Sequence, residues 1–239
     1  MRNHHLIDPI ARRAWITGAS SGLGLALVEK LLEEGDFVAA SGRSSPALRN
    51  LEWQYDSKFL LLDGDLSNPL EATAAAQQIY HRWGALDCLI INAGTSDYLG
   101  SDVSAATLFA SLVRSNLNAA LYCLESARAL LQSGNSPQLV GILSRYSALP
   151  LNDPSDPPGP SNSLAGLFDS QRAALAAQFI DMTLIAPLNW NSPQTSTPVS
   201  PERWTAKSAA EVIVGLLPKR HGNLVLEALH QHDLWPLPK

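Results

Sequence analysis

The chain is poor in cysteine, in long apolar runs and in basic charge. Two cysteines in 239 residues, Cys88 in an apolar stretch and Cys123 in a helical pattern, are too few for a disulfide scaffold. They read as buried thiols in a reducing compartment; a bridge between them is open but unneeded. No apolar run approaches the roughly 20 residues that span a bilayer, and the segment Met1-Arg2-Asn3-His4-His5-Leu6-Ile7-Asp8 has no apolar core of signal-peptide length. The expectation is a soluble cytoplasmic protein with no membrane partner. With 17 Lys and Arg against 22 Asp and Glu, a net charge of -5 and a pI near 5.6, the chain lacks the basic face of a nucleic-acid binder. What it does have is 46% hydrophobic residues, enough for one large α/β domain with a fully buried sheet, expected to occupy 1–239 as a single unit.

Apolar runs of strand length recur at 14–17, 37–41, 59–62, 86–91, 139–144 and 182–186, and read as buried parallel strands. Helical patterns fill the intervals at 23–34, 69–83, 104–132, 163–180 and 206–217. Alternation of this kind implies right-handed crossovers, hence a doubly wound Rossmann-type domain with a parallel sheet flanked by helices. Two segments interrupt it. Residues 149–161 hold a proline cluster that forbids continuous helix or strand, and 189–201 are rich in Pro, Ser, Thr and Asn. Both follow strands at the edge where open α/β sheets bind ligands, so both are expected to act as lids.

The segment Thr17-Gly18-Ala19-Ser20-Ser21-Gly22-Leu23-Gly24 joins the first strand to the first helix. Its glycines permit a tight turn and let backbone amides approach a pyrophosphate at a helix N-terminus, where free N–H groups and the macrodipole favour negative charge. Gly18, Ser20, Ser21, Gly22, Leu23 and Gly24 are therefore candidate cofactor contacts. After the second strand comes Ala40-Ser41-Gly42-Arg43-Ser44. An acid here would bind a ribose 2′-hydroxyl and select NAD, whereas Arg43 offers a guanidinium fork to a 2′-phosphate. NADP is the expected cofactor, with NAD the weaker alternative.

Several motifs together resemble the short-chain dehydrogenase/reductase family. The turn has the spacing G-x-x-x-G-x-G preceded by Thr, and Ile91-Asn92-Ala93-Gly94 is similar to the family's Asn-Ala-Gly motif. Asp65-Leu66 closes the third strand where the family has an acid that contacts adenine. Asn116 matches the family's helix asparagine, and Ser144 stands at the end of the fifth strand in the place of the catalytic serine. The resemblance runs from about residue 13 to 217 and implies that Asp65, Leu66, Asn92, Ala93, Gly94 and Pro187 contact the cofactor. It also implies hydride transfer between the nicotinamide and a small-molecule carbonyl or alcohol substrate, and a homodimer or homotetramer assembled through helices 104–132 and 163–180.

The resemblance breaks at the chemistry. In the family a tyrosine exchanges the proton, and a lysine four residues later holds the ribose and lowers the phenol's pKa from about 10. Anchoring on Arg172-Ala173-Ala174-Leu175 puts Phe168 at the tyrosine position and Arg172 at the lysine position. Phe168 has no proton to give and reads as a core or pocket aromatic. Arg172 would still clamp the ribose, though a guanidinium only donates hydrogen bonds and is unsuited to proton relay. If turnover persists, Ser144 polarises the carbonyl, Asn116 holds a water, and the proton comes from Tyr146 or from water. Two main readings stay open: an NADP(H)-dependent oxidoreductase with an atypical site, or a non-catalytic NADP-binding sensor, scaffold or partner subunit. Non-redox chemistry in the same pocket is a third. The pair His230 and His232 lacks a third metal ligand and reads as a solvated segment, so no metal is expected.

Overall fold

The computed structural model describes residues 11–43, 45–92, 105–143, 163–187 and 205–226. Seven strands form one sheet: β1 (Arg13–Thr17), β2 (Phe37–Ser41), β3 (Phe59–Leu62), β4 (Cys88–Asn92), β5 (Gln138–Ile142), β6 (Asp181–Pro187) and β7 (Asn223–Leu226). Their order is β3-β2-β1-β4-β5-β6-β7 and every pairing is parallel. The strand order reverses between β1 and β4, which creates the crevice at the carboxyl edge of the sheet where such folds take ligands.

The helices are α1 (Gly22–Glu33), α2 (Pro46–Tyr55), α3 (Pro69–Trp83), α4 (Ala105–Gln132), α5 (Leu164–Ala176) and α6 (Ala206–Leu216). Strand side chains alternate between two cores, which is why the strands read as continuous apolar runs. Ala14, Ile16, Val38, Ala40, Cys88 and Ile90 pack with residues of α1, α2 and α6. Trp15, Ala39, Leu89, Ile91 and Leu139 pack with residues of α3, α4 and α5 on the other face.

At the edge where the strands begin, two carboxylates fasten the chain. Asp36 pairs with Arg12 at 3.1 Å. Asp87 takes Arg13 Nη2 at 2.7 Å and Nε at 2.9 Å, together with the backbone N–H groups of Arg13 and Asn135. Burial by itself would raise the Asp87 carboxyl, but these donors outweigh it and hold the group below the usual carboxylate range. Burial pushes the thiols of Cys88 and Cys123 up to about 12. Among the described residues, no helix is long and apolar enough to cross a membrane, and no cluster of His, Cys, Asp or Glu could hold a metal.

Candidate nucleotide cleft

A cleft of about 500 Å³ opens where β1, β2 and β4 end. Its floor is Thr17, Gly18, Ser41, Ile91 and Asn92; Asp63, Gly64, Asp65, Leu66 and Ser67 form one wall, Ser115, Asn116, Ala119 and Ala120 of α4 the other, and Gly42 and Arg43 border its mouth.

The turn after β1 is held by close backbone contacts that only glycine tolerates. Gly18 has φ +63°, and a Cβ there would collide with the Asn92 carbonyl oxygen. A Cβ on Gly24 would collide with the Gly18 carbonyl and lie 2.8 Å from Asn92 Nδ2. Asn92 joins the pieces, donating from Nδ2 to the Gly18 carbonyl at 3.2 Å and from its backbone N–H to Thr17 Oγ1 at 3.2 Å. Ala19 N–H donates to the Ser41 carbonyl at 3.0 Å, and Gly42 comes so near that a Cβ would sit 2.9 Å from Ser20 N. β1, β2 and β4 are thus locked around one turn.

That turn leads into an uncapped helix. Ser21 is the N-cap of α1, yet its side chain accepts no hydrogen bond from the first turn, which contains no acid. In α2, α3, α5 and α6 the capping side chain does accept one: Ser45 from Leu48, Asn68 from Leu70, Ser163 from Gly166 and Thr205 from Ser208. The first N–H groups of α1 keep their donor capacity and the positive end of the helix dipole, both suited to an anion. This cradle fits the pyrophosphate of a dinucleotide.

On the far wall, Asp65 Oδ1 accepts from Ser67 N–H at 2.9 Å and from Ser67 Oγ at 2.7 Å, and Asp65 N–H donates to Glu71 Oε2 at 2.6 Å. These bonds fix the loop that presents Asp65 and Leu66. Arg43 is exposed at the cleft mouth.

The structure therefore gathers Gly18, Arg43, Asp65, Leu66, Asn92 and Asn116 around one cleft, with Ser20, Ser21, Gly22, Leu23 and Gly24 in the adjoining turn and first helical residues. Pro187 ends β6. Ala93, Gly94, Ser144, Tyr146, the two loops expected as lids and the His230 pair lie outside the described residues.

Arg172 is a correction. It donates from Nη2 to Asn223 Oδ1 at 3.1 Å and from Nη1 to the Met182 carbonyl at 3.5 Å. Met182 lies five positions before Pro187, about 16 Å at roughly 3.3 Å per residue. The guanidinium is thus held toward the edge where β6 opens, away from the cofactor edge, and does not clamp a ribose. Phe168 is fully buried and belongs to the core beneath α5. Its ring occupies the space left by Gly141 in β5, where a Cβ would lie 2.6 Å from Phe168 Cε2.

Sequence reasoning passed over Ser41 and Gly42 as cleft residues. Their signals were a polar residue closing an apolar strand and a glycine directly after it, both beside the glycine turn.

A family profile described as short chain dehydrogenase matches residues 12–195. A 3-phenylpropionate-dihydrodiol/cinnamic acid-dihydrodiol dehydrogenase of Escherichia coli is 40% identical over 90 residues, which are 38% of this chain and a third (33%) of the relative's own length. Among solved structures, the Pseudomonas aeruginosa RhlG/NADP active-site complex superposes with a TM-score of 0.68 at 22% identity, covering 94% of this chain and 98% of that one. A metagenomic short-chain oxidoreductase in complex with NADP gives 0.67 at 23% identity, covering 92% and 98%. A cleft built on a glycine turn at the strand reversal of a seven-stranded parallel sheet, together with a profile match over most of the length, makes this chain a member of the short-chain dehydrogenase family.

Proposed function

We propose that this chain binds NADP(H) in the cleft and acts as a single-domain short-chain oxidoreductase on a small carbonyl or alcohol substrate. The observation that carries the reading is the glycine turn feeding an uncapped α1, with Arg43 in place of an acid at the end of β2. The N–H groups of Gly22, Leu23 and Gly24 would hold the pyrophosphate, Arg43 a 2′-phosphate, and Asp65 with Leu66 the adenine side of the cleft. The two structural relatives named above were solved with NADP, which supports the same choice.

When bound, the cofactor supplies hydride exchange at its nicotinamide. For the protein's part, Ser144 would polarise the substrate oxygen, Asn116 would hold a water in the proton path, and Tyr146 or that water would deliver the proton. The chain would work as a homodimer or homotetramer packed through α4 and α5.

A second reading is a non-catalytic NADP-binding sensor, scaffold or subunit: neither Phe168 in the core nor Arg172 at the start of β6 supplies a proton-transfer group to the cleft. Without a positioned acid, proton transfer loses about 10²- to 10⁴-fold in rate. Titration of wild type and Arg43→Ala with NADPH and NADH tests the cofactor: wild type should prefer NADPH, and the variant should lose about 1.5 to 3 kcal/mol toward NADPH alone. Equal affinities in wild type would remove the assignment. Steady-state reduction of a panel of carbonyl substrates then separates enzyme from binding protein.

A further inference from the structure

We infer that Ser41 is a hydrogen-bond donor to the adenosine portion of a nucleotide in the cleft, and that Trp15 is the residue that aims it. The inference rests on the nucleotide reading above and adds to it a contact made from inside the core.

Trp15 stands in the middle of β1 and is completely buried among the apolar side chains facing α3, α4 and α5. An indole N–H can only donate, so burial obliges it to find an acceptor. That acceptor is Ser41 Oγ, 2.8 Å away. Ser41 closes β2, in register with Thr17 of β1 and Leu62 of β3, and its carbonyl takes the Ala19 N–H of the glycine turn. It is 1% exposed and yet lies on the floor of the cleft.

A serine hydroxyl carries two lone pairs and one proton. The indole fixes the direction of one lone pair, so the proton is turned away from Trp15. Among the described residues, nothing accepts it. The polar side chain level with it is Thr17 on β1, whose Oγ1 takes the Asn92 N–H, and no hydrogen bond from Ser41 Oγ reaches it. A buried donor of this kind is unfavourable while unmatched and favourable once matched. The matching group is an uncharged acceptor on a molecule in the cleft: a purine nitrogen or a ribose oxygen. Ser41 thereby recognises the nucleoside, whereas Arg43 at the mouth recognises phosphate. Trp15 touches no ligand in this scheme and is a positioning residue.

Calorimetric titration of the full chain with NADPH and with NADH tests this. Ser41→Ala should weaken both dinucleotides alike, by about 3- to 10-fold, as expected for one neutral hydrogen bond. Ser41→Thr, which keeps the hydroxyl, should restore most of the loss. Arg43→Ala should weaken NADPH and spare NADH. Trp15→Phe should weaken both ligands by about 2- to 3-fold in the Ser41 background, the order of a hydrogen bond misdirected but not removed. It should change nothing further in the Ser41→Ala background, because a residue acting only through another loses its effect when that partner is gone. A Ser41→Ala protein that binds both ligands as wild type does overturns the inference and leaves the cofactor assignment standing. Equal Trp15→Phe effects in both backgrounds overturn the positioning role. Wild type that binds neither dinucleotide overturns the nucleotide reading itself. Should Trp15→Phe fail to fold, the Ser41→Ala and Ser41→Thr pair decides the donor role by itself.

Discussion

Phe168→Tyr combined with Arg172→Lys would restore the family's catalytic pair if these positions lay at the active site. The structure gives the opposite expectation. The Phe168 ring is fully buried and rests on Gly141 and the Leu184 side chain, so a phenol hydroxyl added there enters an apolar core. An unmatched buried hydroxyl costs about 1 to 3 kcal/mol. At about 2 to 4 °C per kcal/mol for a chain of this size, the melting temperature should fall by roughly 2 to 12 °C. Arg172→Lys adds to the loss, because an ammonium lacks the planar fork that reaches Asn223 Oδ1 and the Met182 carbonyl together. Turnover should not change, since neither group moves to the cofactor edge. The assay pairs thermal unfolding by circular dichroism with NADPH consumption on a carbonyl panel, for wild type, both single variants and the double. A double variant gaining 10²-fold or more in rate without losing stability would show that Phe168 faces the reacting centre and that its placement in the core is wrong.

Asp87→Asn should cost about 3 kcal/mol of stability at neutral pH by leaving Arg13 without its partner, measured by urea unfolding. Because the folded carboxyl is held below its usual range, its contribution is complete above the unfolded value of about 4 and disappears as pH falls through the lower folded value; the variant should therefore lose stability less steeply in acid than wild type. Both thiols should resist a disulfide reagent at pH 8 in the native protein and react, two per chain, in denaturant, since burial holds each near 12. Gly24→Ala should abolish dinucleotide binding and cost about 1 to 3 kcal/mol, because its Cβ meets the Gly18 carbonyl; calorimetry and thermal unfolding report the two effects separately.

Strands buried on both faces are conspicuous in sequence, which is why β2 and β3 fall on the runs at 37–41 and 59–62 and the other strand runs shift only at their ends. α2 escaped notice because Ser45-Pro46 resembles a turn and only Leu48 and Leu51 of that helix are buried. β7 escaped because four residues at a sheet edge carry too little pattern. The cleft was legible wherever backbone geometry demands glycine, at Gly18 and Gly24, and illegible where it depends on a long-range partner, as Ser41 does on Trp15. Arg172 was misread because a local match, Arg-Ala-Ala-Leu, was weighed without counting to the next strand. A crossover helix runs antiparallel to the strands it joins, so a residue four positions before the end of α5 must lie toward the edge where β6 begins.

The open end of α1 also ties the chain's persistence to what occupies it. The N-caps of α2, α3, α5 and α6 satisfy their helices from within, while this one leaves that task to a molecule from outside. A ligand bound by the native state alone stabilises it by RT ln(1 + [L]/Kd), about 2.7 kcal/mol at a hundredfold excess over Kd. That is comparable with removing Asp87 from its ion pair. Starved of its ligand, the same polypeptide would open more often and be cleared sooner, so its abundance would rise and fall with the supply of nucleotide even where its rate of synthesis is constant.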